Sequence, residues 1–274
     1  MFGNRQVVTK PINLDQYELD VSHDLARGLG HAIYTDGVRS IDLITGDVLK
    51  TGHLASAPTF GPRLGGSLEY SGGNQMSEIY DPISHNGKIS IFTRAAPDNV
   101  SANRQIVCAD DHSVTPNVRV FQFRVESSGS LGAIAFAGGV VSAASTGALI
   151  AGQEYSLGMS SDHSLASNQL KLFIDGKHDG SAAQVSAIDA DAASVSIGGR
   201  QANTSPVEVL SGAVGVVLIW TGREAGLTED EHAALHNNPQ LLLRPKRKLF
   251  IVPSVAPTFK PAWAAKTNTL IGGM

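Results

Sequence analysis

Between Ala213 and Trp220 the chain runs through eight residues, AVGVVLIW, with no polar side chain among them. Such a run lacks the alternation of a half-exposed strand and is short for a buried helix, so it predicts a strand covered on both faces. A chain that contains it must supply a layer on each side. Downstream, Thr228 precedes Glu231 by three positions, the spacing at which hydroxyl and carboxylate satisfy each other's orphan backbone donors at a helix start. Asn237, Asn238 and Pro239 stop that helix. Glu229, Asp230 and Glu231 crowd its first turn, where the positive end of the helix dipole favours them, which gives the cluster a structural purpose ahead of a catalytic one.

The rest of the chain reads as short strands between turns. Gly28–Tyr34, Ser40–Ile44, Ser67–Tyr70 and Ser77–Tyr80 form an early series. Lys88–Arg94 alternates Ile89, Ile91 and Thr93 against Lys88, Ser90, Phe92 and Arg94. Val118–Glu126 places Phe121, Phe123 and Val125 on one face and Gln122, Arg124 and Glu126 on the other, as a half-buried strand does. Ser127–Ser130 turns it into Leu131–Phe136, and Asp175-Gly176 closes a hairpin after Gln169–Ile174. With 29 glycines and 6% aromatics the composition favours tight turns, and no strand-helix-strand rhythm or fixed-period repeat is present. This predicts a single all-β domain.

Charge narrows the function classes. A net charge of -4 with 17% charged residues supplies no field for nucleic acid or an anionic membrane. No apolar run approaches the ~20 residues of a membrane span, and the first residues lack the basic start and apolar stretch of a Sec-type signal. The single cysteine, Cys108, excludes an internal disulfide and a cysteine-based zinc site.

Three regions follow: an N-terminal arm or lead-in strand over residues 1–20, the β domain over 21–243, and a C-terminal arm over 244–274. Pro245, Pro253, Pro257 and Pro261 bar a regular helix or a central strand in the last. Its Phe250, Ile251, Val252, Phe259 and Trp263 are too apolar to leave in water, which makes them the expected partner-docking residues.

The order of these motifs resembles a laminin-G-like, concanavalin A-like jelly roll across most of the chain. The resemblance is carried by Gly28-Leu29, by Asp42-Leu43-Ile44-Thr45-Gly46, and by the Gly-rich approach from Gly65 to Gly72. Leu172–Lys177, Ile197-Gly198-Gly199 and the stretch from Leu210 through Trp220 to Glu231 complete it. The resemblance implies a two-sheet antiparallel sandwich with one short C-terminal helix and extended arms. Asn238-Pro239-Gln240-Leu241-Leu242, Arg244-Pro245 and Trp263-Ala264-Ala265 are similar to versions of this domain in bacteriophage and prophage proteins. That implies a non-enzymatic virion structural protein (tail, fibre or head decoration), made in the bacterial cytoplasm. Its partners would be other virion subunits and further copies of itself. The alternative is a carbohydrate-binding module whose rim loops recognise host surface glycan, as resemblance to lectins implies.

No catalytic, cofactor or metal residues are expected. The Glu-x-Asp-x-x-Glu strand pattern of the superfamily's glycosidases is missing. Asp110-Asp111-His112-Ser113 and Asp162-His163-Ser164 carry possible calcium oxygens, but such residues are also the ordinary vocabulary of loops. His232 and His236 share a helix face with no third zinc ligand nearby, and their place in the C-terminal half suggests interaction with the dipole. Cys108 reads as a small buried residue.

Overall fold

The strand Ser211–Trp220 lies at the middle of a sheet and has nine of its ten residues buried. On one side it pairs antiparallel with Ile89–Pro97; on the other it is shared by Ser67–Ser71 along its first half and Leu29–Thr35 along its second. In this computed structural model, residues 12–52, 55–79, 83–111, 118–184, 186–189, 193–201 and 205–246 are described.

Among the described residues two large antiparallel sheets pack face to face. The back sheet has nine strands, ordered Lys177–Ala182, Leu170–Ile174, Tyr155–Ser161, Ile89–Pro97, Ser211–Trp220, Leu29–Thr35 and Ser40–Asp42, with Ser67–Ser71 and Thr59–Gly61 as a branch. The front sheet has seven, ordered Val140–Ala148, Ser130–Phe136, Val118–Val125, Arg104–Asp111, Val195–Ile197, Ser77–Ile79 and Lys50–Thr51. This is the all-β, concanavalin A-like jelly-roll sandwich that the turn spacing and the motifs lead one to expect. Asp175 and Gly176 both take positive φ, at 51° and 76°, in the two-residue turn that matches strand twist.

The inner core interleaves Ile91, Leu157, Met159, Val217 and Ile219 of the back sheet with Val107, Phe121, Phe123, Leu131 and Ile197 of the front. A second cluster lies on the outer side of the back sheet, where Leu14, Leu19, Leu25, Leu227, Leu235 and Leu242 cover Tyr34, Phe92, Leu218 and Trp220. The alternation in Lys88–Arg94 therefore leaves no wet face: every residue of Ile89–Pro97 is buried, because the helix and the segments next to it roof the strand. Trp220 buries its ring there and its Nε1 donates to the Leu25 carbonyl at 2.6 Å, so the one polar atom is satisfied.

The α-helix, Glu229–Asn237, has the expected capping box between Thr228 and Glu231. It seats itself through His232, whose ring stacks on Phe173 with centroids 4.0 Å apart and meets Ser160 Oγ through Nε2 at 3.2 Å. Gly158 makes room beneath, since a Cβ there would lie 2.4 Å from the imidazole. The expected dipole interaction is thus not what places His232; packing against the sheet does. His236, in the last turn, meets Ser156 Oγ through Nδ1 at 3.1 Å.

Tyr17–Leu19 and Leu243–Pro245 pair as a small ribbon, reinforced by Arg244 to Glu18 at 2.8 Å. The docking residues Phe250, Ile251, Val252, Phe259 and Trp263 lie outside the described residues. No helix among the described residues is long and apolar enough to cross a membrane.

Burial drives the His232 pKa from 6.5 down to about 3, so between those values the unfolded chain holds the proton that the folded chain excludes. The stability that depends on neutral His232 is complete above the unfolded value and is lost as pH falls toward the folded one. By about pH 5 the loss should reach about 2 kcal/mol. Urea unfolding across this range should show it, and His232→Gln, although less stable at neutral pH, should flatten the slope. An unchanged slope would refute the assignment.

Candidate functional site

The outer face of the front sheet carries a row of residues in cross-strand register: Ser142, Ile134, Gln122, Cys108, Ser196, Glu78 and Lys50, one from each strand. The strand period of two sends Phe121, Phe123 and Val125 inward, and by the same parity turns Gln122 and Arg124 outward. In contrast to the back sheet, whose outer face is sealed by apolar side chains, this face carries mainly hydrogen-bonding groups, with Ile134 and Cys108 interspersed among them.

Arg124 organises it. Its Nε and one terminal nitrogen donate to the two oxygens of Glu126 at 3.0 and 3.2 Å, and the other terminal nitrogen donates to Gln122 Oε1 at 2.8 Å. A planar fork matched to a carboxylate in this way is the strongest form of such a pair. Gln122 Oε1 also accepts from Gln105 Nε2 at 3.2 Å, and that amide donates to Glu208 at 2.6 Å. Glu208 lies near Arg124 at 3.8 Å and Arg200 at 3.6 Å. It reaches the sheet because its backbone carbonyl accepts from the Gln105 amide at 2.8 Å. Its φ of 52° is unusual for a residue with a side chain.

Glu126 lies on Gly132, the cross-strand partner of Arg124; a Cβ at Gly132 would stand 2.2 Å from Glu126 Oε1. Beside this pair opens a shallow groove of about 460 Å³, with Arg124, Glu126, Ser128, Ile134, Val140 and Ser142 in its lining. Among the described residues its lining contains no aromatic side chain.

The polar clusters marked in the sequence have other uses. Asp162 is buried and receives Lys88 Nζ at 3.0 Å, Ser164 Oγ at 2.5 Å and the Gly226 amide at 3.1 Å. Desolvation alone would raise its pKa; the bonds from Ser164, Lys88 and Gly226 outweigh it and hold the carboxyl down to about 2. That cluster staples two loops. Asp110 and Asp111 end a front-sheet strand, while His112 and Ser113 lie outside the described residues. Among the described residues no cluster of His, Cys, Asp and Glu could hold a metal ion.

Asp42, beneath the turn at Thr45-Gly46, accepts from the Ala32 and Ile44 amides at 2.9 and 3.0 Å and meets His31 Nδ1 at 2.8 Å. Against the desolvation that would raise it, these bonds, led by the one from His31, keep its pKa below the ordinary value. Glu231 serves the helix cap and also meets Arg223 at 2.6 Å, and Glu229 accepts from the His178 amide at 3.3 Å. Cys108 is buried in the middle of the row, with Sγ 3.4 Å from the Gly199 carbonyl.

Alternation in the sequence puts Gln122, Arg124 and Glu126 on one side of a strand. Gln105, Arg200 and Glu208 join them only through topology, and no local motif marks the seat at Gly132.

No family model matches the chain, and no curated protein sequence matches it. Among solved structures it is similar to domain 4 of an extracellular arabinanase from Geobacillus stearothermophilus, in complex with arabinotriose. The identity is 12% and the TM-score 0.55, covering 81% of this chain and 99% of that domain. It is also similar to Trypanosoma rangeli sialidase, at 13% identity and TM-score 0.53, over 78% of this chain and 33% of the sialidase. The chain spans about a third of the sialidase's length. At these identities the likeness is one of fold, a lectin-like β-sandwich.

Arg124 and Glu126 have side chains only 14% and 20% exposed, so removing one charge strands the other in a poorly solvated place. Arg124→Met should lower unfolding stability by about 2 kcal/mol, whereas the double replacement Arg124→Met with Glu126→Met should recover most of it. Urea midpoints decide this; a double variant no more stable than the single one would contradict it.

Proposed function

We propose that the chain is a glycan-binding β-sandwich without catalysis of its own, and that the glycan lies along the outer face of the front sheet. The observation that carries this is the bonded network of Arg124, Glu126, Gln122, Gln105 and Glu208 beside an open groove. Sugar hydroxyls both donate and accept, so a groove whose lining mixes a carboxylate, a guanidinium group and serine hydroxyls complements them. Ile134 and Val140 offer small apolar contacts for the C–H faces of a ring. The likeness to an arabinanase domain seen with arabinotriose supports the same reading.

The site proposed here lies on a sheet face, not on the rim loops that the sequence suggests, and its described lining works by hydrogen bonding without an aromatic platform. Both oxygens of Glu126 are engaged by Arg124, which favours holding a ligand over delivering a proton.

A glycan array followed by calorimetric titration should find an oligosaccharide ligand. Ser142→Trp, which fills the groove from an exposed position, should weaken it by about tenfold or more, the loss expected when a bulky side chain occupies space the ligand needs. An array with no hit, or a ligand indifferent to Ser142→Trp, would sink the proposal.

The assembly reading, in which terminal arms fasten the sandwich to neighbouring virion subunits, is a second proposal. What supports it in the structure is the ribbon of Tyr17–Leu19 with Leu243–Pro245, which brings the described ends of both arms side by side. Deleting residues after Lys248 should leave a folded sandwich that no longer enters particles; unimpaired incorporation would count decisively against it.

A further inference from the structure

We infer that the front-face groove selects uncharged glycans and that Glu126, seated over Gly132, is the residue that enforces this choice. The inference rests on the glycan-binding reading above and specifies the ligand class of the same site.

A carboxylated sugar is held best by a guanidinium that presents a free pair of parallel N–H groups. Arg124 is the arginine in the groove lining, and its fork is already filled. Nε and one terminal nitrogen are committed to Glu126 at 3.0 and 3.2 Å, and the other terminal nitrogen to Gln122 at 2.8 Å, with Glu208 at 3.8 Å beyond it. A ligand carboxylate must therefore displace an internal one or lie beside it as a like charge.

Among the described residues, the network also pairs its charges internally. Arg124 and Arg200 supply two positive charges, Glu126 and Glu208 two negative ones, and Gln105 and Gln122 link them without charge. A hydroxyl, by contrast, needs no displacement: it donates to a lone pair that Glu126 still offers and accepts from a serine at the rim.

The seating of Glu126 is built into the neighbouring strand. Gly132 stands across from Arg124, and any side chain there would enter the space of the Glu126 carboxylate, 2.2 Å from Oε1. Gly132 is absent from the residues with positive φ, so its smallness and not its backbone conformation is what the site uses. It is a positioning residue for the clamp.

The test compares the full chain with Glu126→Gln and Gly132→Ala in calorimetric titrations, with circular dichroism to confirm folding. Neutral arabinan, galactan and dextran oligosaccharides form one ligand set; oligogalacturonate and alginate oligomers form the other. The unaltered protein should bind a neutral oligosaccharide and show no measurable affinity for the carboxylated ones. Glu126→Gln removes the carboxylate that fills the Arg124 fork and leaves Glu208, at 3.8 Å, as the nearby counter-charge; it should gain affinity for carboxylated oligomers by about tenfold or more, weakening with added salt. Gly132→Ala, which pushes the carboxylate away without removing it, should shift preference in the same direction.

Equal or tighter binding of carboxylated oligomers by the unaltered protein would overturn the selectivity and leave the glycan-binding reading standing. If both variants keep the original preference, Glu126 is not the selector. If no oligosaccharide of either set binds and a wider array is also blank, the glycan-binding reading itself falls.

Discussion

Two-sided burial of the strand Ser211–Trp220 is the constraint on which the rest of the structure depends. A run of apolar residues with no wet face needs a layer in front and a layer behind, because each large side chain left in water forfeits about 1.5–3 kcal/mol. The front layer is the second sheet. The back layer is the helix with the segments before and after it, whose leucines cover Trp220, Phe92 and Tyr34. The same pressure decides where the helix sits, since Gly158 lets His232 descend onto the sheet until its ring stacks on Phe173.

That arrangement assigns different chemistry to the four sheet faces. The two inner faces meet in one core, and the outer face of the back sheet is sealed by a second apolar cluster. The outer face of the front sheet instead carries a polar row. Half-buried charges are costly unless paired, and here the cost is met by Arg124 and Glu126, by Gln105 with Glu208, and by Gln122 between them. Such a network holds its side chains in fixed positions, which is what the proposed recognition of hydroxyl groups requires.

Polar groups elsewhere use the same bonds to a different end. Asp162 with Lys88, and Asp42 with His31, are sealed between loops or beneath a turn, with their oxygens spent on backbone amides. They stabilise connections. The groove next to Arg124 and Glu126 is open to solvent, and that accessibility, more than residue type, distinguishes it from those staples.

Local order in the sequence determined much of the fold. Alternation in Val118–Glu126, the capping box at Thr228 and Glu231, the Asp175-Gly176 turn and the unbroken apolar run before Trp220 each have a cause that acts within a few residues, and each is present in the structure. What only the tertiary structure decided are the relations between distant segments. Whether Lys88–Arg94 has a wet face depends on a helix more than a hundred residues later, and the alternation alone misleads there. The candidate site could not be read locally either: Gln105, Gln122, Arg124, Glu126, Gly132, Arg200 and Glu208 are brought together by strand pairing and by a loop that returns over the sheet. Hydrophobic period fixes which way a side chain points, but only long-range register fixes what it meets.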